Sequence, residues 1–66
     1  MDVQDIKDLR DAVPFVPFSL HLNSGQVIEV KNHDELFIPP TERHIIVDNG
    51  RLLVIDPSNV SSLAQI

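Results

Sequence analysis

The sequence predicts one small domain of mostly β (α+β) class, in which an N-terminal helix precedes a five-stranded antiparallel meander or small barrel. Three observations predict it. Apolar residues recur at helical spacing over residues 2–13. Apolar and polar residues alternate in the two segments that flank Gly25. An Asn49-Gly50 pair separates two later apolar runs, a strong hairpin signal.

The helix is predicted over residues 2–13. Its apolar stripe has four members at spacings of three and four: Val3, Ile6, Leu9 and Val13. Asp2 is the expected N-cap, because its carboxylate can accept a bond from a free backbone N–H of the first turn. Pro14 is expected to end the helix, since the residue before a proline avoids helical dihedrals.

The first hairpin is predicted from strands at 18–23 and 26–31, joined by Ser24-Gly25. A Pro-Phe-Val-Pro-Phe stretch at residues 14–18 precedes it. We expect the three phenylalanines to lie in the core: Phe15, Phe18 and Phe37. The base-stacking alternative would need exposed rings close to basic side chains.

Further short strands are predicted at 36–38, 42–47, 51–55 and 60–66. Two of them are apolar on both faces, whereas a strand with one wet face should alternate. One of these faces must meet the helix or another chain. The residues predicted to mediate self-association are Ile45, Ile46, Val47, Leu52, Leu53, Val54 and Ile55.

Composition limits the function classes. The chain has 66 residues, no Cys and a formal net charge of −5. A domain this short buries only about 60% of its unfolded surface, which favours stabilisation by a partner subunit. The longest apolar run, 52–55, is far below the ~20 residues that span a membrane. The acidic N-terminus lacks the apolar region of a signal peptide, so we expect a cytoplasmic protein with no membrane contact.

No motif predicts catalysis, a cofactor or a metal. The three histidines could be combined with Asp34 and Glu35 into a metal set: His21, His33 and His44. No His pair has the short spacing of a zinc site, so solvated or singly hydrogen-bonded imidazoles are the favoured interpretation. Asp34 and Glu35 as an acid–base pair would need a pocket that shifts their pKa values. We therefore expect a protein that is not an enzyme.

Nucleic acid remains a possible partner, although the net charge disfavours it. Binding would depend on four side chains reaching one surface: Lys31, Arg43, His44 and Arg51. The leading hypothesis is a non-enzymatic interaction module with a homo-oligomeric or other protein partner. The alternative is an oligomer that binds nucleic acid or a nucleotide.

Two resemblances extend these expectations. The strand pair at 18–28, with its glycine turn, and the segment 54–60 before the last strand are similar in topology to the Sm-like and SH3-like small β-barrels. The Met-Asn pair that holds RNA bases in Sm proteins has no counterpart. The Pro-Phe-x-Pro-Phe start, the Leu20-His21-Leu22 strand, Gly25 and His33 resemble a set of short, uncharacterised bacterial proteins. This second resemblance covers most of the chain and implies no activity.

Overall fold

The computed structural model describes residues 2–66 and is mostly β, with one short helix and two antiparallel sheets. Its elements are α1 (Val3–Arg10), β1 (Phe18–Leu22), β2 (Val27–Val30), β3 (Leu36–Phe37), β4 (Ile45–Asp48), β5 (Leu52–Ile55) and β6 (Val60–Gln65). Short 3₁₀ turns at His33–Glu35 and Pro57–Asn59 precede β3 and β6. None of the helices in this described part is long and apolar enough to cross a bilayer.

The strand order corrects the predicted five-stranded meander. One sheet has the order β2-β1-β6 and the other β3-β4-β5. The last strand therefore returns to pair with β1 instead of continuing beside β5. Within residues 2–66 no strand pair links the two sheets, so they do not form the closed barrel that was the other prediction.

The return of the chain to the first sheet has a local cause. Asp56 caps the 3₁₀ turn before β6, because its Oδ1 accepts the Ser58 N–H at 2.9 Å. The Asn23 N–H then donates to the Asn59 carbonyl at 2.8 Å. These bonds direct the chain away from β5 and towards the end of β1.

The helix begins as predicted but ends three residues earlier than residue 13. Asp2 caps it, with Oδ1 accepting the Gln4 N–H at 3.0 Å. Its last turn closes where the Asp11 N–H donates to the Lys7 carbonyl at 2.9 Å. Val13, predicted to belong to the apolar stripe, lies beyond this point and is 96% exposed.

One core is shared by the inner faces of both sheets and by the helix. Its buried apolar members are Ile6, Phe18, Leu20, Ile28, Val30, Leu36, Ile38, Ile45, Val47, Ile55 and Val60. Phe15 packs at its margin, with its ring 6.0 Å from that of Phe18. The prediction that Phe37 lies in the core is wrong, because this ring is 57% exposed.

The strand predicted over 42–47 begins only at Ile45. Glu42 adopts a left-handed backbone conformation, with φ of 58°, that no strand residue can take. Its carboxylate pairs with the Lys7 ammonium, which links this bend to α1. Both predicted hairpin turns are present, and Gly25 and Gly50 have positive φ values of 92° and 109°.

Candidate self-association surface

The outer face of the second sheet carries an exposed apolar row. Antiparallel register places Phe37 opposite Ile46, and Ile46 opposite Val54, across all three strands. Leu52 shares this face because it lies two residues before Val54. Phe37, Leu52 and Val54 are 57%, 70% and 62% exposed, and Ile46 is half-buried. We call these four residues the apolar outer face.

The structure divides the seven residues predicted for self-association between two faces. Ile45, Val47 and Ile55 are buried in the core and are unavailable to another chain. Leu53 also points inward but is only half-buried. Ile46, Leu52 and Val54 belong to the apolar outer face. The surface open to a partner is therefore smaller than the sequence suggested.

Phe37 completes the apolar outer face and was missed by sequence reasoning. Its neighbour Leu36 pairs with Val47 and is buried, so Phe37 must point to the opposite side. All three residues of the strand predicted at 36–38 are apolar, so the sequence gave no alternation from which to choose between them. Pairing with the neighbouring strand was the missing information.

A free sheet edge adjoins this face. The Asn49 N–H donates to the Arg51 carbonyl at 3.4 Å. Every second opposite pair of an antiparallel ladder is hydrogen-bonded, so the β5 residues bonded to β4 after Arg51 are Leu53 and Ile55. The alternate residues, Leu52 and Val54, direct their backbone N–H and C=O groups away from β4. Within the described chain, no backbone hydrogen bond satisfies these groups. The edge also lacks the lysine, proline or bulge that commonly blocks strand addition.

The outer face of the first sheet provides a contrast. Its positions are mainly polar, as expected for a solvated sheet face, and include the half-buried His21 and the exposed Glu29 and Ser62. Val27 is the large apolar exception, with 51% of its side chain exposed. The two outer faces therefore differ in chemistry although both follow the same alternation.

The four basic residues of the nucleic-acid alternative do not gather at one point. Arg43 and His44 precede β4, whereas Arg51 lies in the turn after it. The four residues of β4 separate these groups by about 13 Å at the usual rise of a strand. The Asn49 side-chain amide donates to the Glu29 carbonyl at 3.3 Å, so the β4–β5 turn lies beside β2. Lys31 directly follows β2. Lys31 and Arg51 are thus placed apart from Arg43 and His44.

The histidines do not form a metal site with neighbouring acids. Among residues 2–66, no three His, Asp or Glu side chains converge sufficiently to hold an ion. The His33 ring packs against Phe15, with 6.3 Å between centroids. His44 lies near Asp56 and contributes to lowering the pKa of that carboxyl, after the larger effects of the Ser58 hydrogen bonds.

One serine–histidine contact resembles part of a nucleophilic site. Ser19 Oγ lies 3.1 Å from His21 Nε2 and 3.4 Å from the Ala64 carbonyl. Ser19 is only 7% exposed, which keeps its hydroxyl from a substrate. No carboxylate within the described residues hydrogen-bonds the other nitrogen of His21 to orient it as a base. The contact is best explained as satisfaction of a buried hydroxyl between two strands.

The adjacent carboxylates Asp34 and Glu35 are not arranged as an acid–base pair. Glu35 accepts the Lys31 N–H at 2.9 Å and an Asn32 side-chain N–H at 3.2 Å. The bond from the Lys31 backbone is the main reason that the pKa of Glu35 falls below its ordinary value. Glu35 therefore stabilises the 3₁₀ turn before β3, and a lowered pKa is the opposite of what a general acid at neutral pH requires.

Fold and surface together define a small two-sheet protein with one apolar outer face and an open β5 edge. Comparison of the chain with protein-family models, curated proteins and solved structures found no match. The exposed apolar side chains grouped on this sheet face make it the candidate interaction surface of the described residues.

Proposed function

We propose that this protein is a non-enzymatic interaction module that self-associates by pairing the β5 edges of two copies. The observation that carries the proposal is the apolar outer face beside an edge whose Leu52 and Val54 backbone groups have no partner among the described residues. Strand addition would satisfy those groups and cover apolar side chains in the same step.

The edge geometry favours one antiparallel register. Pairing Leu52 with Val54 of the second copy, and the reverse, creates four backbone hydrogen bonds about a two-fold axis at Leu53. On the outer face, each Leu52 then lies about 5 Å from the partner's valine side chain. The half-buried Leu53 meets its own copy on the inner face. This register covers apolar groups on both faces of β5, which stacking of the outer faces alone would not do.

The available area predicts a weak dimer. A standard specific interface buries about 800 Å² per partner, which is about a fifth of this chain's 4180 Å² surface. Pairing of the β5 edges contacts one four-residue strand, about 13 Å long, and leaves Phe37 and Ile46 outside the interface, so the area it buries is well below this standard. We therefore expect a dissociation constant between about 10 μM and 1 mM.

Sedimentation equilibrium from about 10 μM to 1 mM, spanning the expected dissociation constants, tests the proposal. Wild type should shift from monomer to dimer, and Val54→Asp should remain monomeric because it places a charge against the partner's leucine. Val27→Asp is the matched control, since Val27 is also an exposed strand valine but lies on the first sheet. It should dimerise as wild type does. A monomeric wild type throughout, or equal loss in both variants, would contradict the proposal.

Amide hydrogen exchange distinguishes edge pairing from face stacking. The Leu53 amide is paired with β4 in the monomer, whereas the Leu52 and Val54 amides have no backbone partner within residues 2–66. Edge pairing predicts that exchange at Leu52 and Val54 slows as protein concentration rises, while Leu53 changes little. Association without this protection would show that another surface is used.

A further inference from the structure

A second open edge, on the other sheet, borders a groove. The groove has a volume of about 490 Å³ and is lined by residues of α1 and β6: Asp5, Asp8, Leu9, Ser61, Ser62 and Leu63. Three of these are consecutive in β6 and therefore alternate between the two faces of the sheet. A cavity that contacts all three must run along the strand's edge. Within residues 2–66 no strand pairs with this edge, since β6 is the last strand in the order β2-β1-β6 and pairs with β1 on its other side.

Backbone groups that can accept a new strand point into this edge. The Ile66 N–H donates to the Pro17 carbonyl at 2.9 Å. This bond places the hydrogen-bonded pairs of the β1–β6 ladder at residues 62, 64 and 66. Leu63 and Gln65 alternate with them, so their N–H and C=O groups point away from β1. No other backbone group in the described chain pairs with them.

The helix supplies negative charge and a small apolar contact beside this edge. Asp5 and Asp8 line the groove, and the ion pairs among residues 2–66 leave both carboxylates without a basic partner. Asp8 accepts only a neutral bond, from the Gln4 side-chain amide at 2.8 Å. Leu9 and Leu63, both half-buried, provide apolar surface at the base of the groove.

We propose that the groove between α1 and the free edge of β6 binds an extended peptide with alternating basic and apolar residues. The peptide adds as a fourth strand to the first sheet, with hydrogen bonds to Leu63 and Gln65. Its lysine or arginine side chains share the face that meets α1: their charged ends reach Asp5 and Asp8, and their methylene stems cover Leu9 and Leu63. The alternating apolar side chains lie on the other face of the sheet. Alternate strand residues are about 6.8 Å apart and the two helix carboxylates are about 4.5 Å apart along the axis, a mismatch that flexible lysines can span.

The probe is the peptide acetyl-Lys-Val-Lys-Val-Lys-Val-amide, titrated into ¹⁵N-labelled protein. Saturable amide shifts should centre on Leu63 and Gln65. A version N-methylated at every residue keeps the charge but has no backbone N–H to donate to β6, so it should lose binding. Equal binding of both peptides would overturn the proposal, since it would reflect charge attraction without strand addition. Absence of binding, or shifts centred elsewhere, would overturn it as well.

Charge recognition is tested with two doubly substituted proteins of equal net charge. Asp5→Asn with Asp8→Asn should weaken binding about fivefold or more. Asp34→Asn with Asp48→Asn removes two exposed carboxylates elsewhere and should change it less than about twofold. Equal weakening in both proteins would overturn the proposed role of the helix carboxylates. If circular dichroism shows that the Asp5→Asn, Asp8→Asn protein is unfolded, the comparison of the two peptides on wild type tests the proposal instead.

The same titration on Val54→Asp separates this proposal from β5 self-association. Peptide binding at β6 should be unchanged there even if wild type proves monomeric. Shifts at Leu63 and Gln65 that grow with protein concentration alone would assign the groove to a second copy and overturn the peptide proposal.

Discussion

The packing of α1 on the sheets depends on one side chain. Ile6 is fully buried, whereas Val3 and Leu9 only border the core. Ile6→Ala removes three carbon atoms, for which the transfer free energy is about 2.4 kcal/mol at about 0.8 kcal/mol for each. The cavity adds to this, so the free energy of unfolding should fall by about 3–4 kcal/mol. A domain of this length has about 3–10 kcal/mol in total, so the variant should be marginal at room temperature.

Urea unfolding followed by far-ultraviolet circular dichroism measures this change, because the chain has no Trp or Tyr for fluorescence. Leu52→Ala is the control, since this side chain is 70% exposed and its loss should cost less than about 0.5 kcal/mol in the monomer. A loss below about 1 kcal/mol in Ile6→Ala would refute the docking of α1, because even a small cavity exceeds it. If Ile6→Ala loses the helical circular dichroism signal while amide protection in the sheets is unchanged, the helix and the sheets do not unfold as one cooperative unit.

Two further predictions concern the turns. Gly25→Ala and Gly50→Ala should each destabilise the fold by about 1–2 kcal/mol, because both residues have positive φ. A steric clash would not contribute, since an added Cβ would meet no atom within 4 Å. D-alanine at the same positions in a synthetic chain should stabilise it by about 0.4–1 kcal/mol, and a destabilising D-alanine would contradict the backbone explanation. The pKa values of Glu35 and Asp56 are lowered mainly by the Lys31 and Ser58 N–H groups, so their ionised forms favour the folded state. Their contribution should be complete above the ordinary values of 4.5 and 3.8 and be lost as pH falls through the lower folded values. Melting temperature should fall in this acid range, and less steeply in Glu35→Gln with Asp56→Asn; an equal slope would contradict the assignment.

Local signals in the sequence predicted the elements better than their arrangement. Alternation and the two glycine turns were sufficient for both hairpins, and Asp2 identified the start of the helix. The pairing of β6 with β1 was not predictable, because it joins residues more than 35 positions apart and depends on the capped turn at Asp56. The early end of α1 was also missed, since Val13 continued the apolar spacing beyond the last helical turn.

The candidate surface depended on the same distinction between local pattern and pairing. Sequence showed that residues 45–47 and 52–55 were apolar on both faces, and it could not say which face the core would use. Register answers this: Val47 and Leu53 share the inner face, whereas Ile46 and Val54 share the outer one. An eight-residue helix contributes one fully buried side chain to the common core and leaves Phe37, Leu52 and Val54 exposed on the second sheet. The polar outer face of the first sheet shows that this chain can build a solvated face by ordinary alternation. The apolar outer face of the second sheet thus departs from the chain's own pattern, and coverage by another chain is the physical condition that would favour such a departure.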